Sequence, residues 1–134
     1  MYILDLPLYV QITKKKKFYF NLNTYRNAPF HQLSDVKIAF GKLIEKKVSE
    51  LPELGCVGLS YTLFPGRKND PDVANICSIV DKFFSDVLVT QGKLVDDNCN
   101  IVKGVQYLYG KVDKSNPRVE VAIHQVEESF TNLE

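Results

Sequence analysis

Four aspartates, Asp70, Asp72, Asp96 and Asp97, form two short acidic segments on either side of a stretch with helical periodicity. Carboxylates of this kind suit magnesium, a hard cation that takes a few carboxylate oxygens and keeps several waters. At a phosphodiester such an ion activates a water and neutralises the charge building on the displaced oxygen. A lysine nearby would hold a phosphate oxygen or offset the negative charge of the pentacovalent transition state, and Lys82 is the candidate. The same residues also have an ordinary structural reading. Aspartate at a helix start caps free N–H groups and complements the macrodipole, and Asp-Asp-Asn is a common loop composition.

The element that must position these groups is a predicted helix opening at Asp70-Pro71, an N-cap followed by proline, and terminating at Gly92. At 100° per residue, Val73, Ile76, Cys77, Val80, Phe83, Phe84, Val87 and Leu88 share one broad side that would face a sheet. Asp72, Asn75, Lys82 and Asp86 gather along the neighbouring edge, within about a quarter of the circumference. Polar chemistry is thus aligned beside the core.

Around this helix the chain reads as strands Pro7 to Thr13 and Phe18 to Leu22, a hairpin with the lysine run Lys14, Lys15, Lys16 and Lys17 at its tip. An irregular loop over Leu22 to Pro29 follows. A helix capped by Ser34 then carries Val36, Phe40, Leu43, Ile44, Val48 and Leu51 at helical spacing and ends before Pro52. Strict alternation from Val57 to Leu63 marks a strand closed by Pro65-Gly66. Two more alternating stretches, Val105 to Val112 and Arg118 to Val126, flank the turn-rich segment Asp113 to Pro117 and look like an antiparallel hairpin. The order implies one α+β domain over residues 1–134, a mixed β-sheet with two main helices packed on it.

Composition agrees with a self-folding domain: 134 residues, 45% hydrophobic and 25% charged,. A net charge of +1 means that attraction to phosphate must come from local clusters,. Cys56, Cys77 and Cys99 are odd in number, without a Cys-x-x-Cys pair, which fits a reducing compartment,. The start Met1 to Asp5 lacks a basic leader and no apolar run reaches the roughly 18 residues of a membrane span, so the expectation is a protein of the bacterial cytosol, with no membrane partner.

The stretch Arg67-Lys68-Asn69-Asp70-Pro71-Asp72, the helix carrying Lys82 and Asp86, and Gly92-Lys93-Leu94-Val95-Asp96-Asp97 together resemble the RusA family of Holliday junction resolvases. That family shows basic residues, Asp-x-Asp-Asn, a helical lysine with an aspartate one turn later, a glycine, and Asp-Asp before a strand. The resemblance covers the C-terminal half; in the N-terminal half only the loop Leu22 to Asn27 is similar. It implies that Asp70, Asp72 and Asp97 bind Mg2+, that Lys82 is the catalytic lysine with Asp96 in support, and that Arg67 and Lys68 contact DNA phosphates. It further implies a homodimer that nicks a four-way DNA junction at two symmetric positions, in a gene suited to a phage or prophage. Two departures stand out. The asparagine falls at Asn75 instead of directly after Asp72, and the segment up to Lys82 is about four residues longer, roughly 6 Å of helical rise.

Other residues add less. Lys14 to Lys17 would track a DNA backbone through counterion release, or simply form a solvated tip that protects a strand edge. Tyr25 and Arg26 would meet exposed nucleotides at a junction centre, with plain loop packing the favoured reading of both. His31 and His124 have no partners in the pattern. The implied activity is a magnesium-dependent, structure-specific endonuclease. The alternatives are a nuclease preferring other branched DNA and a non-catalytic branched-DNA-binding protein of the same fold.

Overall fold

The computed structural model describes residues 1–69 and 71–126. Asp70, one of the expected metal ligands, lies outside them. The element order is β1 (Tyr2–Leu6), β2 (Tyr9–Gln11), β3 (Lys17–Tyr19), α1 (Leu22–Asn27), α2 (Phe30–Ser49), β4 (Val57–Phe64), α3 (Val73–Thr90), β5 (Val102–Tyr109) and β6 (Arg118–Gln125). A four-stranded mixed sheet in the order β1-β6-β4-β5 is accompanied by the β2-β3 hairpin. The α+β class with a mixed sheet and two long helices is therefore the architecture observed.

Strand β4 organises the sheet. Its inward residues Val57, Leu59, Tyr61 and Leu63 are buried, and it pairs antiparallel with β6 and parallel with β5. The parallel pair is possible because α3 returns the chain to the starting end of the sheet, as a parallel connection requires. The long helices α2 and α3 bury Phe40, Ile44, Phe83 and Phe84 in the core. Phe83 sits among Phe18, Phe20, Tyr25 and Phe40, with ring centroids 5.4 to 6.3 Å away.

Strands β5 and β6 are not a hairpin. Strand β4 lies between them, and the intervening loop crosses its end, with Asp113 N–H donating to the Pro65 carbonyl at 2.8 Å. Alternation reports that a segment is half-buried in a sheet and says nothing about its neighbour. Residues Tyr2–Leu6, unassigned in the sequence reading, form the edge strand β1 against β6. Residues Leu22–Asn27 are helical instead of irregular, because the Asn21 side chain accepts from Thr24 N–H at 2.8 Å and caps the turn,.

Helix α2 begins at Phe30 behind Pro29, four residues before the expected Ser34 cap, with the proline supplying the extended φ of −62° that starts it,. Helix α3 is capped by Asp72 instead of Asp70. Its other end is a Schellman closure on Gly92, at φ +74°, with Gly92 N–H on the Val89 carbonyl and Lys93 N–H on Leu88,.

Candidate functional site

The basic and acidic residues of the motif are distributed over the two ends of α3. At its N-terminus Asp72 is exposed, and one carboxylate oxygen accepts the Asn75 N–H at 3.2 Å. Asn75 in turn accepts the Leu22 N–H on its side-chain oxygen at 3.0 Å. It thereby ties the start of α1 to the start of α3 and holds the turn that presents Asp72. Arg67 and Lys68 are exposed on the approach to this turn, and neither forms an ion pair among the described residues.

At the C-terminal end the loop before β5 presents Asp96 and Asp97, both exposed. Asp96 shapes the loop by accepting the Asp97 N–H at 2.7 Å and the Asn98 side chain at 3.0 Å. The Asp97 carboxylate accepts no hydrogen bond among the described residues, leaving its oxygens to solvent. The loop is pinned to the starting ends of β4 and β5. Asn98 receives Val102 N–H at 2.9 Å, Ile101 receives Val57 N–H at 2.8 Å, and Lys93 Nζ donates to the Leu51 carbonyl at 2.6 Å.

Asp72 and Asp97 therefore stand apart within one protomer. The 18 residues of α3 span about 27 Å at 1.5 Å per residue,. The donors are chemically suited to magnesium, as exposed carboxylates at loop and helix ends, but the two are not neighbours. Among the described residues no three His, Cys, Asp or Glu side chains are grouped closely enough to hold an ion.

Lys82 lies between the two ends. Ten residues beyond Asp72, it is about 15 Å along the axis and exposed, with its Nζ 5.7 Å from the Tyr25 ring centroid,. Asp86, one turn on, pairs with Lys37 of α2 at 2.8 Å, which ties the two long helices together. Tyr25 is half-buried against Phe83, so packing occupies its ring, while Arg26 is exposed. Lys14 to Lys17 surround the β2-β3 turn, all exposed, with Lys17 over the Tyr9 ring at 4.8 Å.

One polar cluster has no counterpart in the sequence reading. The Asp81 carboxylate accepts from Tyr61 at 2.6 Å, Tyr107 at 2.8 Å and Ser85 at 3.0 Å, joining α3 to β4 and β5. Burial first, and then the Asp81 charge, push the Tyr61 phenol well above its ordinary range. Tyr107 is raised by burial and by its hydrogen bond to Asp81. The same burial pushes the Cys77 thiol up to about 12, which keeps it protonated and excludes it as a nucleophile at neutral pH,. The available signal was the Asp81/Ser85 spacing of one turn at the edge of the apolar face, opposite tyrosines on two strands.

No family model matches the chain, and no curated protein is similar enough to serve as a relative. Among the described residues no helix is long and apolar enough to cross a membrane.

Proposed function

We propose that this chain is a RusA-like, magnesium-dependent endonuclease that resolves four-way DNA junctions as a homodimer. The observation that carries the reading is the placement of the motif on the β4-α3-β5 crossover. Exposed Arg67, Lys68 and Asp72 occupy one end and exposed Asp96 and Asp97 the other. Exposed acids with cations at the same helix fit a phosphodiester site better than a folding role, since the Asp97 carboxylate makes no hydrogen bond or ion pair among the described residues. The resemblance in residue order adds Asp70 to the set.

The helix between Asp72 and Asp97, 18 residues and so about 27 Å long, bears on how such a centre is assembled,. Two aspartates at opposite ends of α3 reach one ion only if they come from different protomers, so each centre takes Asp72 from one protomer and Asp97 of the partner subunit. A two-fold dimer then has two identical centres, which matches paired symmetric nicking. A magnesium ion held there would supply charge neutralisation and an activated water. Arg67 and Lys68 hold the phosphates on either side, Asn75 positions Asp72, and Asp96 shapes the loop of Asp97. Lys82 and Arg26 meet the DNA backbone, Lys82 from its mid-helix position, and Lys14 to Lys17 extend the basic surface.

The test is cleavage of a synthetic four-way junction, a flap and a linear duplex, with and without magnesium, by wild type and by Asp72→Asn. Asparagine caps a helix as well as aspartate does, so this substitution removes a charged ligand and leaves α3 intact. Magnesium-dependent paired nicks on the junction, lost in Asp72→Asn, are expected. Preference for the flap points to another branched substrate. Junction binding without cleavage by wild type would assign the chain to non-catalytic binding.

A further inference from the structure

Strand β5 is an edge strand, and among the described residues no element pairs with its outer side. Val105 and Tyr109 pair with Leu59 and Leu63 and share their inward face, yet they are 44% and 51% exposed where Leu59 and Leu63 are buried. Leu108, on the opposite face, is 44% exposed. From Gly104 to Tyr109 the ladder runs without interruption, so the outer N–H and C=O groups form a regular row that no strand joins among the described residues.

Soluble proteins blunt such edges with charge, proline or a covering element, because a bare apolar edge is a template for another strand. The residues of β5 include a single charge, Lys103, and no proline. The opposite edge of the sheet is protected: β1 has only five residues, carries Asp5, and has Lys47 Nζ on the Asp5 carbonyl at 3.1 Å.

The charges at the two ends of β5 are opposite in net sign, with Lys103 offsetting part of the acidic end and Asp113 at the other end paired with Arg118 at 2.8 Å. Asp96 and Asp97 precede it, whereas Lys111 follows it and the loop of Arg67 and Lys68 leaves the same end of the sheet. An antiparallel strand of identical sequence therefore brings acid to base at both ends, a self-complementarity that a parallel copy lacks.

We propose that a second copy of this chain pairs its β5 antiparallel with this β5, making a continuous eight-stranded sheet across a two-fold axis near Gln106. Strand β5 is about 26 Å long and α3 about 27 Å, so exchanging the ends of one exchanges the ends of the other. The loop of Asp97 is thereby carried toward the end at which the partner's α3 begins. This functional consequence rests on the endonuclease reading, whereas the interface is read by mass alone.

The experiment is light scattering and sedimentation over a concentration series for wild type, Val105→Lys/Leu108→Lys, Asp96→Lys, Lys111→Glu and Asp96→Lys/Lys111→Glu, each checked by circular dichroism. Wild type is expected to be a dimer and Val105→Lys/Leu108→Lys a folded monomer. Each single charge reversal weakens the dimer about tenfold, and the double reversal restores it by exchanging the signs at both ends. If the two-lysine variant fails to fold, the charge series decides.

A wild type that stays monomeric at its highest soluble concentration overturns the proposal and assigns the edge to some other occupant. So does a folded Val105→Lys/Leu108→Lys protein that remains dimeric. A dimer of the expected pattern without cleavage of any DNA upholds the interface and refutes the endonuclease reading. Cleavage by a monomer refutes both this interface and a centre shared between protomers, and leaves only the nuclease activity standing.

Discussion

Asp72 caps α3, and in the proposed endonuclease it also holds a cation, two roles that substitutions separate. Its carboxylate closes the N-terminus of α3 through Asn75 N–H, and its exposure leaves an oxygen for a cation. Asp72→Ala is expected to cost about 1 kcal/mol through the lost cap, whereas Asp72→Asn keeps the melting temperature and abolishes cleavage. Asp81 has the opposite character. Its carboxylate is saturated by three hydroxyls, so Asp81→Ala strands the buried Tyr61 hydroxyl and costs about 2 kcal/mol in denaturant melts,. Tyr61 and Tyr107 also set an alkaline limit. Both phenols are raised above 10.0 in the folded chain, so the unfolded chain loses those protons first. Their contribution is intact below pH 10 and declines as pH rises through the folded values, and Tyr107→Phe is expected to flatten the decline in melting temperature.

At the scale of elements, the aromatic nest around Phe83 and the closure on Gly92 hold α3 in place. Phe83→Ala empties the contact point of four rings and is expected to cost about 3–5 kcal/mol,. Gly92→Ala places a side chain at φ +74° and costs about 1 kcal/mol, measured in the same denaturant series,. These elements were readable because their signals are local. The apolar stripe of α3, the glycine stop and the alternation of β4 each express a contact within a few residues of their own position. Pairing is not local. The alternation of β5 and β6 marked them as strands, while the insertion of β4 between them follows from the parallel crossover that α3 makes from β4 to β5,. The Asn21 cap of α1 and the edge strand β1 were missed because six- and five-residue elements are too short to show a period.

For the whole molecule, spacing along the chain suggests a set of aspartates, while the distances between them depend on the fold. Spacing along the chain brought Asp70, Asp72, Asp96 and Asp97 together by flanking one helix, and the length of that helix is what separates Asp72 from Asp97. An endonuclease built on this crossover therefore works as a pair of protomers, each completing the other's centre. Mixed dimers of Asp72→Asn and Asp97→Asn protomers, formed by refolding the two inactive proteins together, test this most directly. Half of each mixed dimer then combines an intact Asp72 with an intact Asp97 from opposite protomers. Magnesium-dependent nicking of a four-way junction at about a quarter of the wild-type sites is expected, as unpaired single nicks. A mixture as inactive as either variant alone, beside an active wild type, would contradict a centre shared between protomers.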